Sequence, residues 1–286
     1  MDEYLTPGQY FQLTGGRPRK HFGQHFLAQP ATALRIVRSA ELREAETVVE
    51  IGPGLGALTQ FLVPLSRRLH LIEIDREMAA YQRERIPSGD SVQVHEQDVL
   101  SFDFAALGEK EGGRLVLLGN LPYSISSPLV FHLLAAFPAI DRGVFMVQKE
   151  VGERFSAVPG TKQYGVLSVL LGIYARVRPL FTVGPRQFHP PPKVDSMVLR
   201  MDFLESAPAG PPFSFMRRFV SAAFQKRRKT LLNSLKGVFG ISSDALASAF
   251  PRAGIDSMRR PETLSAAEFV GLASAVRDVI SPATLL

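Results

Sequence analysis

The 286-residue chain is 45% apolar and 21% charged, with 33 Lys and Arg against 27 Asp and Glu, a net charge of +6. Such a composition is globular, long enough for one large domain or two ordinary ones, and mildly suited to a polyanionic partner. The absence of cysteine excludes disulfides, thiolate zinc sites, iron–sulfur clusters and thiol nucleophiles. Only His21 and His25 are spaced i,i+4, with Gly23 between them and no third ligand near, so no metal is expected. The N-terminus shows no apolar signal core, and the longest apolar stretches, such as 166–175, are too short to span a membrane. A soluble, cytoplasmic protein is the expectation.

Residues 1–22 read as a loosely ordered basic arm carrying Arg17, Arg19, Lys20 and His21. From about residue 30, helix and strand patterns alternate. The spacing of Leu34, Val37 and Leu42 predicts a helix over 31–42. A β-branched run at 47–51 predicts a buried strand, and 69–74, 92–95, 115–118 and 143–147 repeat that signature. Helical stretches lie between them, for example 58–65 and 78–85. This alternation predicts βαβ units and a mostly parallel sheet. Two later strands, 177–183 and 196–203, read as an antiparallel edge pair. A Pro/Gly-rich linker at 206–212 then leads into an all-helical region. That region begins with a helix pattern over 213–236 and continues at 243–250 and 265–279, where Ser265 and Glu268 have capping-box spacing.

The first strand ends in Glu50-Ile51-Gly52-Pro53-Gly54-Leu55-Gly56. Glycines at a strand-to-helix turn let a ligand approach the backbone. The spacing is G-x-G-x-G, and Pro53 removes an N–H that a pyrophosphate cradle would use. A nucleoside with a small polar tail therefore suits the turn better than a dinucleotide. The second strand ends in Glu73-Ile74-Asp75, where a carboxylate can accept from ribose hydroxyls. The third leads to Glu96-Gln97-Asp98-Val99, where Asp98 can accept from an adenine amino group.

The fourth strand ends in Gly119-Asn120-Leu121-Pro122-Tyr123, the most specific signal in the chain. The amine of a nucleobase is a poor nucleophile because its lone pair is delocalised into the ring. Methyl transfer to it needs acceptors that hold both protons and draw the nitrogen towards tetrahedral geometry. The Asn120 side-chain carbonyl and the Leu121 backbone carbonyl can do this, while Tyr123 can stack on the base.

Taken together these stretches resemble the ribosomal RNA adenine dimethyltransferase family. Further matches are Gly23-Gln24-His25-Phe26-Leu27, Gln148-Lys149-Glu150, Pro190-Pro191-Pro192-Lys193-Val194-Asp195-Ser196, and the run from Phe224 to Leu231. The resemblance spans about residues 17–280. It implies an α/β fold: a Rossmann-like methyltransferase sheet over 23–205 and a small C-terminal all-helical, RNA-binding domain over 206–286. It implies S-adenosylmethionine as cofactor, touched by His25, Leu27, Gly52, Gly54, Glu73, Asp98, Val99 and Asn120. Many members carry Asn where this chain has His25; an imidazole can take over as donor or acceptor. Asn120 and Leu121 would hold the target amine, with Tyr123 and Phe188 sandwiching the adenine. The tri-proline segment would present Phe188 as a rigid spacer.

On one continuous helix, Lys226, Arg227, Arg228 and Lys229 would point all around the axis, with Arg228 on the apolar stripe and forced to snorkel. Lys226, Arg227 and Lys229 would then face RNA phosphates. The implied partner is the small ribosomal subunit and its RNA, met by a monomer. Two rival readings share these motifs: a large-subunit RNA adenine methyltransferase conferring antibiotic resistance, and a non-catalytic RNA-binding assembly factor.

Overall fold

A computed structural model describes residues 4–19, 22–86, 89, 91–226 and 229–280. The chain divides into two compact units, Met1–Gly152 with Arg176–Glu205, and Glu153–Ala175 with Ser206–Leu286.

The first unit is built on strands β1 (Phe26–Leu27), β2 (Thr47–Ile51), β3 (Arg68–Glu73), β4 (Val92–Glu96), β5 (Leu115–Asn120), β6 (Ile140–Gln148), β7 (Ala175–Val183), β8 (Phe188–His189) and β9 (Ser196–Phe203). Seven of them form one sheet in the order β4-β3-β2-β5-β6-β9-β7. The pairs from β4 to β6 are parallel, and β9 runs antiparallel to β6. β2 and β5 are buried almost throughout, as a parallel sheet covered on both faces demands. The chain winds outward from β2 to β4, then returns to β5 and winds the other way. The order therefore reverses at β2 and β5, and such a switch point opens a crevice at the carboxyl ends of the strands.

Around the sheet lie α1 (Pro7–Thr14), α2 (Pro30–Ser39), α3 (Thr59–Leu62), α4 (Arg76–Arg85), α5 (Phe104–Glu111), α6 (Ser126–Ala135) and the start of α7 (Lys149–Phe155). α1 departs from the expected loose arm. Thr6 and Gln9 form a capping box at its start, and Tyr10 is buried with Phe26, Leu55 and Met78. Arg19 is not a free cation: it pairs with Asp75 at 2.9 Å and Glu77 at 2.8 Å. Lys20 and His21 lie outside the described residues. Likewise Arg178 pairs with Asp202 at 3.0 Å.

The second unit contains α8 (Val166–Tyr174), α9 (Phe213–Phe224), α10 (Leu231–Leu235), α11 (Ser243–Arg252) and α12 (Ala266–Asp278). α8 corrects the expected boundary at 205, because residues 153–175 belong to this unit rather than to the sheet. A helix apolar on every side needs enclosure, and α8 finds it against α9 and α12. The Tyr164 hydroxyl donates to the Leu264 carbonyl at 2.8 Å, pinning its approach. The expected capping box at Ser265 and Glu268 is present. Glu268 also pairs with Arg259, and these bonds hold its carboxyl down at about 2.

The pattern over 213–236 is two helices rather than one. Thr230 caps the start of α10, and the Leu231 and Leu232 amides donate to the Arg259 and Ser257 carbonyls. The chain turns between them, with the Lys229 amide donating to the Lys226 carbonyl at 2.9 Å. Lys226 and Lys229 are exposed on that turn, while Arg227 and Arg228 lie outside the described residues. The snorkelling expected of Arg228 therefore falls outside the described residues.

Among the described residues no helix is long and apolar enough to cross a membrane, and no group of three His, Asp or Glu is arranged to hold a metal.

Candidate active site

The crevice at the switch point is a cavity of about 290 Å³. Its walls come from the motif around β1, the glycine loop after β2, and the ends of β3, β4 and β5.

Gly52, Gly54 and Gly56 all have positive φ, at 65°, 52° and 87°, so the loop needs glycine at each. A Cβ at Gly52 would meet no heavy atom within 4 Å, so the backbone there borders open space. A Cβ at Gly54 would strike the Phe26 ring at 2.9 Å, which shows how tightly β1 presses on the loop. Gly119 is needed for a different reason. A Cβ there would lie 2.8 Å from the Ile51 carbonyl, so only glycine lets the end of β5 close on β2.

Glu73 is buried and holds the loop. One carboxylate oxygen accepts the Gly54 amide at 3.0 Å and the other the Asp75 amide at 2.9 Å. Burial raises its pKa, opposed by those two backbone donors. Each oxygen keeps a lone pair for a further donor in the cavity. Asp98 is exposed at the crevice rim and caps Val99–Ser101 by accepting the Leu100 amide at 2.9 Å. Val99 packs beneath it as an apolar floor.

The opposite wall is built by the Asn-Leu-Pro-Tyr segment. The Asn120 side-chain amide donates to the His25 carbonyl at 2.9 Å, which leaves its Oδ1 free to accept. The Leu121 amide donates to the Met146 carbonyl at 2.9 Å, orienting that peptide. The Tyr123 hydroxyl shares a 2.9 Å hydrogen bond with Ser196, and its ring stacks on His25 with centroids 5.7 Å apart. His25 is itself fixed by Nδ1, 2.8 Å from the Pro190 carbonyl. The imidazole therefore orients the Tyr123 ring, while its backbone carbonyl orients Asn120.

The structure brings His25, Leu27, Gly52, Gly54, Glu73, Asp98, Val99, Asn120, Leu121 and Tyr123 to this one cavity. It does not bring Phe188 there. Phe188 is paired with Leu27 across the β1–β8 ladder, and both are buried in the main core. Strand alternation turns their neighbours, Phe26 and His189, to the other face. The expected adenine sandwich of Tyr123 and Phe188 is thus absent, and the ring stacked on Tyr123 is His25.

Glu50 and Tyr4 are among the lining residues that the sequence did not assign. Glu50 is fully buried, and its carboxylate accepts from the Thr59 hydroxyl at 2.7 Å. Burial, with the nearby Glu73 charge, pushes its pKa up to about 8 against the Thr59 hydrogen bond. An acid inside a β-strand was a visible signal of a special position. The other is Tyr4, whose distance in sequence gave no signal.

A glycine loop that exposes its backbone to a nucleoside, with no cradle for a pyrophosphate, places the chain among the Rossmann-like methyltransferases that use S-adenosylmethionine. The residues present fit that cofactor: open space over Gly52, free lone pairs on Glu73, and an acceptor at Asp98. The family model for ribosomal RNA adenine dimethylase matches residues 15–276. The chain belongs to that family. It is 45% identical over 261 residues to ribosomal RNA small subunit methyltransferase A of Nitrosococcus oceani, covering 90% of this chain and 96% of the relative. It is similar to the crystal structure of a dimethyladenosine transferase from Plasmodium falciparum, with TM-score 0.73, 26% identity, and 87% and 96% of the two chains covered. It is also similar to the crystal structure of the 23S rRNA methyltransferase ErmE, with TM-score 0.65, 25% identity, and 88% and 99% covered.

Proposed function

We propose that this enzyme transfers two methyl groups to N6 of each of two adjacent adenines near the 3′ end of small-subunit ribosomal RNA. It acts in ribosome biogenesis, as a cytoplasmic monomer that needs no metal. The single observation that carries the chemistry is that Asn120 lines the cavity with its side-chain amide spent on the His25 carbonyl, which keeps its oxygen as an acceptor. The small-subunit assignment is supported by the 45% identity to the Nitrosococcus oceani relative over nearly the whole of both chains.

S-adenosylmethionine supplies an electrophilic methyl group on a sulfonium sulfur. Glu73 accepts from its ribose hydroxyls and Asp98 from its adenine amine. The target base leaves its stack to enter the crevice. Asn120 Oδ1 and the Leu121 carbonyl accept hydrogen bonds from the two N6–H groups, and Tyr123 stacks on the base. Hydrogen bonds to two fixed carbonyls turn the amine lone pair towards the methyl group, the N–C bond forms as the S–C bond breaks, and one N6 proton passes to solvent. Catalysis is positioning and electrostatics, with no covalent enzyme intermediate. The exposed Lys226 and Lys229 contribute phosphate contacts, as does Arg227, which lies outside the described residues.

The test is transfer of labelled methyl from S-adenosylmethionine to unmethylated small and large subunits, with the product nucleosides mapped. Dimethyladenosine in the small subunit alone is expected. Methylation confined to large-subunit RNA would establish the resistance-type reading, and no transfer to either would establish a binding factor.

A further inference from the structure

Tyr4 lines the same cavity as Gly52, Glu73 and Asn120, and its hydroxyl donates to the Leu27 carbonyl at 3.4 Å. Burial pushes that hydroxyl up to about 12, so it remains a donor at any physiological pH. Behind Tyr4, α1 packs through Tyr10 and Phe11 against Phe26, with Phe11 and Phe26 centroids 5.6 Å apart. Phe26 is the ring that presses on Gly54. Beyond α1 the chain is fastened again. Arg19 donates to Asp75 at 2.9 Å and to Glu77 at 2.8 Å, and Gln24 donates to the second Asp75 oxygen at 2.8 Å. Asp75 is buried, two residues beyond Glu73, and caps α4 through the Glu77 amide. Tyr4 and α1 lie outside the residues that the family model matches.

We propose that the segment from Tyr4 to Arg19 is a working part of the cofactor site. Tyr4 is a wall against bound S-adenosylmethionine, and the Arg19–Asp75 ion pair is the latch that keeps the strap down. This rests on the assignment of the cavity to that cofactor. Cofactor or by-product leaves only when the strap lifts, so the strap sets the exchange rate. The Asp75 end of the latch is buried and the Arg19 side chain is 41% exposed, so the pair is open to screening by salt from one side only.

The experiment is stopped-flow dissociation of S-adenosylhomocysteine from the full chain at several salt concentrations. Tyr4→Ala and Arg19→Gln are expected to release the ligand about tenfold faster. Tyr4→Phe keeps the ring and restores slow release. Wild-type release accelerates with salt, and Arg19→Gln loses that dependence. Wild-type release rates in Tyr4→Ala overturn the wall, and an unchanged salt dependence in Arg19→Gln overturns the latch. Asp98→Ala, run alongside, separates the two readings. Weakened binding there with normal release in Tyr4→Ala rejects the strap alone, whereas normal binding in Asp98→Ala rejects the cavity as the cofactor site.

Discussion

The crevice of the first unit and the basic turn of the second hold their polar groups in opposite ways. In the crevice, Glu73 is held by two backbone amides, Asn120 by the His25 carbonyl and Tyr123 by Ser196. Each is oriented before any ligand arrives, in a partly dry pocket where a hydrogen bond is strong and directional. At the turn, Lys226 and Lys229 stand exposed on flexible stems. Charges in water attract a phosphate but select neither a base nor a geometry, and salt weakens them. Chemistry therefore belongs to the groups the fold has already paired, and general affinity to those it has left in water.

The largest expected effect is at Phe188. A ring stacked on substrate would be dispensable for folding, whereas a core ring is not. Phe188→Ala is expected to lower stability by roughly 3–5 kcal/mol in denaturant titration, while Tyr123→Ala slows methylation and unfolds near the wild-type midpoint. A stable but slow Phe188→Ala would return that ring to the site. Next in size, Asn120→Ala should reduce the single-turnover rate on unmethylated small subunits about 10²–10³-fold, with cofactor affinity kept within a few-fold. Near-normal turnover would mean that another group holds the amine.

Glu50 offers a test by pH. Its folded pKa of about 8 lies above the ordinary carboxyl value of 4.5, so the native state retains a proton that the unfolded chain releases. Stability contributed by the protonated acid is complete below about 4.5 and is lost as pH rises to about 8. Glu50→Gln cannot titrate and keeps an acceptor for Thr59. It should match the wild type near pH 4.5 and exceed it by roughly 2–4 kcal/mol above pH 8. Parallel stability curves over that range would show that Glu50 is ionised in the native state. The smallest expected effect is at the turn. Lys226→Ala with Lys229→Ala should lower the slope of log affinity for RNA against log salt by about 1–2, leaving single-turnover chemistry on saturated subunits intact. A wild-type slope would remove the turn from the RNA interface.

Much of the first unit was legible because its signals are local. A β-branched run followed by glycines predicts a buried strand and a ligand turn, and five strand patterns in series with helices between them predict the parallel sheet. Gly52, Glu73, Asp98 and Asn120 fall at the ends of β2, β3, β4 and β5, so the strand pattern alone placed them on one rim. The long apolar pattern over 213–236 misled because helical spacing does not reveal where tertiary hydrogen bonds interrupt it. Thr230 and the Arg259 carbonyl decide that break.

The residues of this sequence by themselves determined the fold class and the glycine turn after β2, because each depends on near neighbours in the chain. Tertiary structure alone decided the rest. Phe188 beside a proline spacer can face either side of a strand, and only its pairing with Leu27 turns it into the core. Residues 153–175 follow the sheet in sequence, yet α8 joins the helical unit because only there is an all-round apolar helix enclosed. Tyr4 enters the cavity through contacts made 23 residues away at Leu27, and Arg19 finds Asp75 across 56. Such pairings depend on which surfaces are brought together in space, which no local pattern encodes.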